Sequence, residues 1–164
     1  EDLSALFRGL TRQEISDAFN WIADNYFMPS MRSDLMRIMQ QHREKGEKIV
    51  LLSGMFKDIL EIIGQKIGVD YVIGTNLEYV NNRCTGRIIR PLCFGEDKVK
   101  YLNEFIEQQG LEVDLSGSAA YADSIHDLPV FELVGVPAAV YPDERLYKLA
   151  AGRKWRIIDN NRNL

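Results

Sequence analysis

The sequence predicts an α/β fold, a largely parallel sheet with helices on both faces, preceded by an all-helical segment. Three observations carry this. From Lys48 onward, short apolar runs alternate with amphipathic stretches, the pattern of βαβ units. Before Gly46 only helical periodicity is present. Finally, the small-residue run Ala119-Ala120-Tyr121-Ala122 ends abruptly in two acids four apart, Asp123 and Asp127. Such a run reads as a buried parallel strand with Asp123 at its C-terminal tip, the edge where open α/β sheets bind ligands.

The elements follow in order. Thr11 and Glu14 form a possible capping box, and the segment after it sets Ile15, Phe19, Ile22, Ala23 and Tyr26 on one helical face. Met28-Pro29-Ser30 breaks that helix. A second helix carries Leu35, Met36, Ile38 and Met39, a stripe expected to pack in the core, and should stop near Gly46. Lys48 to Leu52 is a strand ended by Ser53-Gly54, Phe56 to Ile67 a helix, and Tyr71 to Gly74 a strand. Leu77 to Val80 and Arg87 to Ile89 read as a hairpin through Asn81-Asn82, which tolerate positive φ. A helix from about Glu96 to Gln109 precedes the strand into Asp123. Helix Leu128 to Val134, strand Val136 to Val140, helix Asp143 to Ala151 and strand Trp155 to Ile158 complete the chain.

Composition narrows the function classes. At 164 residues and 46% hydrophobic, the chain can bury a sizeable core. A net charge of -4 and a pI near 5.3 argue against nucleic acid as the partner, and basic residues are scattered. No apolar run approaches the roughly 18 residues that span a bilayer. No secretory signal pattern opens the sequence. Cys84 and Cys93 show neither metal-ligand spacing nor a disulfide framework, so a reducing cytoplasm is the expected location. The first residue is Glu1 rather than Met, which suggests a fragment or a trimmed chain.

Three polar sites line up along the chain. Ser53-Gly54, directly after Ile49-Val50-Leu51-Leu52, offers a hydroxyl and backbone N–H groups at a helix N-terminus, an anion site or an ordinary strand-to-helix turn. Lys98 lies near the start of a helix, where a cation opposes the dipole unless an anion or acid is near. Glu96 and Asp97 could supply that balance as a solvated turn. Asp123 and Asp127 make a hard-oxygen pair suited to Mg²⁺, or an Asx turn followed by a helix N-cap. Hydroxyl, amides, cation and acid pair together describe a pocket for a phosphoryl group.

In these residues the sequence resembles the haloacid dehalogenase superfamily, in its phosphoserine-phosphatase-like branch (subfamily IB). Leu51-Leu52-Ser53-Gly54 looks like that family's second motif, Gly95-Glu96-Asp97-Lys98 like its third, and Asp123-Ser124-Ile125-His126-Asp127-Leu128-Pro129 like its fourth. The resemblance also runs through Gly74-Thr75-Asn76-Leu77-Glu78, Thr85-Gly86 and Ala138 to Asp143. Ala122 replaces the usual Gly or Ser and is small enough to keep the turn. The resemblance implies a three-layer α/β/α Rossmannoid core with a parallel sheet over 47–164, carrying a hairpin insertion near 76–90. It implies that 1–46 is a partial N-terminal helical cap with a lead-in helix. By the same resemblance, Ser53 and the Gly54 amide bind phosphoryl oxygens and Lys98 neutralises nucleophile and phosphate. Asp123 then ligates Mg²⁺, and Asp127 supports the metal or its water.

The family's first motif, Asp-x-Asp-x-(Thr or Val), has no counterpart in the 164 residues. Its first Asp would attack phosphorus and its second act as general acid and base. Asp159-Asn160-Asn161 lacks the second acid and follows the wrong strand. The expectation is therefore a truncated Mg²⁺-dependent phosphomonoester hydrolase working through an aspartyl-phosphate, inactive as this chain alone. Its substrate would be a small phosphorylated metabolite, with Arg8, Arg12, Arg32 and Arg37 as candidate contacts to a carboxylate or second phosphate. The alternatives are a non-catalytic phosphate-binding or interaction domain derived from such a phosphatase, and a receiver-like signalling domain. The receiver-like reading needs an early acidic pair that this chain lacks. Oligomeric state is not legible.

Overall fold

The computed structural model describes residues 3–159, so Asn160 and Asn161, weighed above against the first motif, lie outside the described residues. The chain divides into two compact units, Glu1–Cys93 and Phe94–Leu164.

The N-terminal unit opens with a 3-10 turn, Leu3–Phe7, and then α1 (Arg12–Ile22). The capping box is complete. Thr11 Oγ1 accepts from the Glu14 N–H at 3.2 Å, and the Glu14 carboxylate accepts from the Thr11 N–H at 2.8 Å. The helix widens into a π turn, Ala23–Phe27, and tightens into a 3-10 turn, Met28–Ser30. This changes the periodicity. Ile15, Phe19 and Ala23 are buried as expected, but Tyr26 is exposed, because the π turn no longer advances at 3.6 residues per turn. Helix α2 (Ser33–Glu44) follows. Its Met-bearing stripe is not core: Leu35, Met36, Ile38 and Met39 are only half-buried, and α2 buries none of its residues. Arg43 ties α2 to the next helix by donating to the carbonyls of Ile67 and Gly68 at 2.5 and 2.6 Å. A cation there satisfies helix-end carbonyls that have no intrahelical donor.

Strand β1 (Val50–Phe56) leads into α3 (Lys57–Ile67) and β2 (Tyr71–Thr75). β1 and β2 are parallel, in register from Val50↔Tyr71 to Leu52↔Ile73 and then, after a shift, at Phe56↔Thr75. The first strand therefore does not end at Ser53-Gly54. It bulges there and pairs again at Phe56. β3 (Leu77–Val80) and β4 (Arg83–Ile88) form the antiparallel hairpin, with Asn81 and Asn82 at φ 48° and 63°. Ile15, Phe19, Ala23, Ile59, Ile63, Leu77 and Cys84 make the core, with the Phe7 ring set edge-on against Phe19 and Phe56.

The C-terminal unit begins with α4 (Glu96–Gln109) and β5 (Ala119–Ala122). A 3-10 turn, Ile125–Asp127, runs into a short α5 (Leu128–Phe131), then β6 (Val136–Val140), α6 (Glu144–Gly152) and β7 (Arg156–Ile158). The helix expected to reach Val134 stops at Phe131. Beyond it the Leu133 N–H donates to the Val130 carbonyl three residues back, and the Gly135 N–H leaves the helix altogether to donate to the Leu115 carbonyl at 3.1 Å. The sheet order is β5-β6-β7, all parallel, with Ala122 opposite Ala139. Its core is Phe131, Ala139, Leu146 and Ala150, and Trp155 lies against Phe131. Parallel pairing is thus present in both units. Among the described residues no helix is long and apolar enough to cross a membrane.

Candidate active site

Ser53 and Gly54 belong to the N-terminal unit and occupy the bulge of β1. The Ser53 hydroxyl accepts from the Met55 N–H at 3.3 Å, which folds the bulge on itself. Helix α3 starts only at Lys57, so the amides beside Ser53 are those of a bulge and not of a helix N-terminus, contrary to the sequence reading. Thr75, fully buried at the end of β2, fixes the bulge from beside it. Its hydroxyl donates to the Gly54 carbonyl at 2.9 Å and accepts from the Cys93 N–H at 3.1 Å. Gly74 permits the approach: a Cβ there would lie 2.5 Å from Leu60 Cδ1 and 2.9 Å from the Met55 carbonyl oxygen.

The C-terminal unit holds Lys98, Asp123 and Asp127. Lys98 sits in the first turn of α4, where a cation opposes the helix dipole. Its compensating acid is not a neighbour on the helix. Asp97 pairs with Lys100 at 2.7 Å, while the Lys98 ammonium donates to Asp127 Oδ1. Both side chains of that pair are nearly buried, 11% and 12% exposed. Asp127 is at the N-cap position of α5 but makes no capping bond with its side chain. The capping alternative therefore falls to Ser124, whose hydroxyl oxygen accepts from the His126 N–H at 3.3 Å. The Phe94 ring lies against His126, centroids 4.7 Å apart. Asp123 immediately follows β5 and is exposed.

Asp143 had no assigned role in the sequence reading, although an acid opening a helix is a visible capping signal. Its Oδ1 accepts from the Leu146 N–H and its Oδ2 from the Ile125 N–H, each at 2.8 Å. Its own N–H donates to the Asp123 carbonyl at 2.7 Å. Burial pushes the Asp143 carboxyl pKa up, but the N–H groups of Leu146 and Ile125 and the Ser124 hydroxyl outweigh this and hold it below the usual range.

The chemistry available is that of anions. The C-terminal unit brings a buried ammonium onto one carboxylate, four residues from a second carboxylate at a strand tip. The N-terminal unit holds a serine in a backbone bulge fixed by a buried threonine. Carboxylates suit a hard cation, and an ammonium and a hydroxyl are each groups that can bind phosphoryl oxygens. Among the described residues no three acids, cysteines or histidines cluster as a metal cage.

Comparison with known proteins gives these features a family. A family model described as haloacid dehalogenase-like hydrolase matches residues 1–132. The chain is 30% identical over 160 residues to the inhibition of morphological differentiation protein of Streptomyces azureus, covering 98% of this chain and 57% of that protein. It is 28% identical over 155 residues to a phosphoserine phosphatase of Mycobacterium tuberculosis, covering 94% of this chain and 50% of the relative. The chain thus spans about half the length of these two relatives. A crystal structure of a protein of unknown function from Bordetella pertussis superposes with a TM-score of 0.85 at 29% identity, over 91% of this chain and 67% of that one. On the match over residues 1–132, the chain belongs to the haloacid dehalogenase-like hydrolase family and has its α/β fold.

Proposed function

We propose that this chain supplies the phosphoryl-binding and metal-binding residues of a Mg²⁺-dependent phosphomonoester hydrolase. The observation that carries the reading is the buried Lys98–Asp127 pair, four residues after Asp123 at the tip of β5. An ammonium in the first turn of a helix is unfavourable by itself. Held there by a buried acid, it is a fixed positive charge, and phosphoryl transfer needs one. The phosphoserine phosphatase relative supports the same chemistry.

The roles follow from charge. A carboxylate nucleophile and a phosphate dianion repel each other, and Lys98 offsets part of that repulsion. Ser53 and the Gly54 amide hold phosphoryl oxygens. The donor set fits Mg²⁺: Asp123 offers an exposed carboxylate as direct ligand, and Asp127 a carboxylate oriented by Lys98 as supporting acid. When bound, Mg²⁺ supplies charge neutralisation between the two anions. The nucleophile and the acid-base carboxylate of an aspartyl-phosphate mechanism come from an Asp-x-Asp strand that these 164 residues do not contain. The chain alone is therefore inactive. The helices of 1–46 would serve as the partial cap of the enzyme, the part that excludes water and selects the leaving group of a small phosphorylated metabolite. The lack of an Asp-x-Asp favours one second reading, a non-catalytic phosphate-binding or interaction domain.

The test is binding of inorganic phosphate to the purified chain with Mg²⁺, followed by ³¹P NMR. Weak saturable binding that Ser53→Ala and Lys98→Met each reduce supports the assigned roles. Binding unchanged in both variants removes these residues from the site.

A further inference from the structure

We infer that Asp143 is a positioning residue for Asp123: it clamps the turn that aims the Asp123 carboxylate. This inference rests on the proposed metal role of Asp123.

An acid at a helix start needs only one oxygen to cap it. Asp143 uses Oδ1 for this, on the Leu146 N–H of α6. Its carbonyl continues the helix, accepting from the Tyr147 N–H at 2.8 Å, but its second carboxylate oxygen and its N–H reach back to the segment after β5. Oδ2 accepts from the Ile125 N–H at 2.8 Å, the carboxylate bonds the Ser124 side chain, and the Asp143 N–H donates to the Asp123 carbonyl at 2.7 Å. Three consecutive residues are thus held by one. The topology makes this reach possible. β5 and β6 are parallel neighbours with Ala122 opposite Ala139, so the chain leaving β6 passes the tip of β5.

The consequence is geometric. Asp123 follows the last residue of β5, so its N-terminal side is fixed by the sheet ladder. On its C-terminal side the Asp123 carbonyl and the Ile125 N–H are both fixed by Asp143. The backbone that sets the direction of the Asp123 Cα–Cβ bond is anchored from both sides, while the carboxylate stays exposed. Partners that orient a metal ligand typically change metal affinity by about 10–100-fold when removed.

The test uses the ¹⁵N-labelled 164-residue chain titrated with Mg²⁺ alone, read from amide shifts across Asp123 to Asp127. Asp143→Ser keeps a capping oxygen for Leu146, since Ser caps about as well as Asp. A single hydroxyl oxygen cannot also serve Ile125. The expected result is an apparent Kd raised about tenfold or more, faster hydrogen exchange at the Ile125 amide, and unchanged α6 signals. Asp143→Ser with the wild-type Mg²⁺ midpoint overturns the inference. Asp123→Asn separates this from the metal reading. If that variant abolishes the wild-type response, the metal reading stands whatever Asp143→Ser does. If it leaves the response intact, Asp123 is not the ligand and the inference falls with it. Should Asp143→Ser fail to fold, Asp143→Asn decides: its one carboxamide oxygen can still accept from Leu146, while its NH₂ group cannot accept from the Ile125 N–H, so a weakened Mg²⁺ midpoint supports the clamp and an unchanged one refutes it.

Discussion

Replacing Lys98 by Met removes the ammonium and keeps most of the side-chain volume. Asp127, only 12% exposed, then carries a buried charge without its partner. Breaking such a pair from one side costs about 3–5 kcal/mol. Removing a cation from the first turn of α4 returns about 0.3–1 kcal/mol of dipole interaction. The net loss is about 2–4 kcal/mol, and at about 2–4 °C per kcal/mol for a chain of this size the melting temperature should fall by about 5–15 °C. The two tryptophans lie in different units, so a Trp21→Phe background leaves Trp155, packed on Phe131, to report the C-terminal unit. Urea unfolding followed by Trp155 fluorescence gives the free energy. The double variant Lys98→Met with Asp127→Leu removes both charges and should recover most of the stability, because an apolar pair of similar volume replaces a buried ion pair at little cost. A single Lys98→Met variant as stable as its parent would refute the claim that this pair is buried and mutually dependent.

The other predictions concern the scaffold. Gly74→Ala should destabilise by about 1–3 kcal/mol, since its methyl group overlaps Leu60 and the β1 bulge, and urea unfolding would register it. Thr11→Ala should cost about 1 kcal/mol through loss of the complete capping box, by the same measurement. Lys48, together with the Ile49 N–H, holds the Asp70 carboxyl below the usual range, so its contribution is fully present above about pH 4 and is lost as pH falls through the folded-state value. Asp70→Asn should therefore flatten the acid limb of the unfolding midpoint against pH, and an unchanged limb would show the Lys48 contact to be inconsequential.

Much of the fold was legible because it rests on local pattern. The capping box, the Asn81-Asn82 hairpin and the order of helices and strands each follow from a few neighbouring residues. The misses have non-local causes. The β1 bulge depends on Thr75 and Gly74 of the neighbouring strand lying beside it, far along the chain, so Ser53-Gly54 by itself reads as a strand end. Tyr26 left the apolar face because of a π turn, which no periodicity rule anticipates. The Met stripe of α2 matched a core pattern, yet α2 docks through Arg43 and buries no residue. At the candidate site, the acid pair and the lysine were visible as residue types. That Asp127 would take Lys98 while Ser124 did the capping was not, because either acid or hydroxyl could cap. Asp143 was legible only as a cap, since its second oxygen acts across the sheet.

Hydrolysis of a generic aryl phosphate, measured with Mg²⁺ on this chain with and without an added N-terminal strand bearing Asp-x-Asp, tests the central claim most directly. The account predicts no turnover by the 164-residue chain and Mg²⁺-dependent turnover once the strand is present, lost again on Asp123→Asn. Turnover by the unextended chain that Asp123→Asn abolishes would contradict it, because the nucleophile would then lie among the residues assigned here to metal and phosphate.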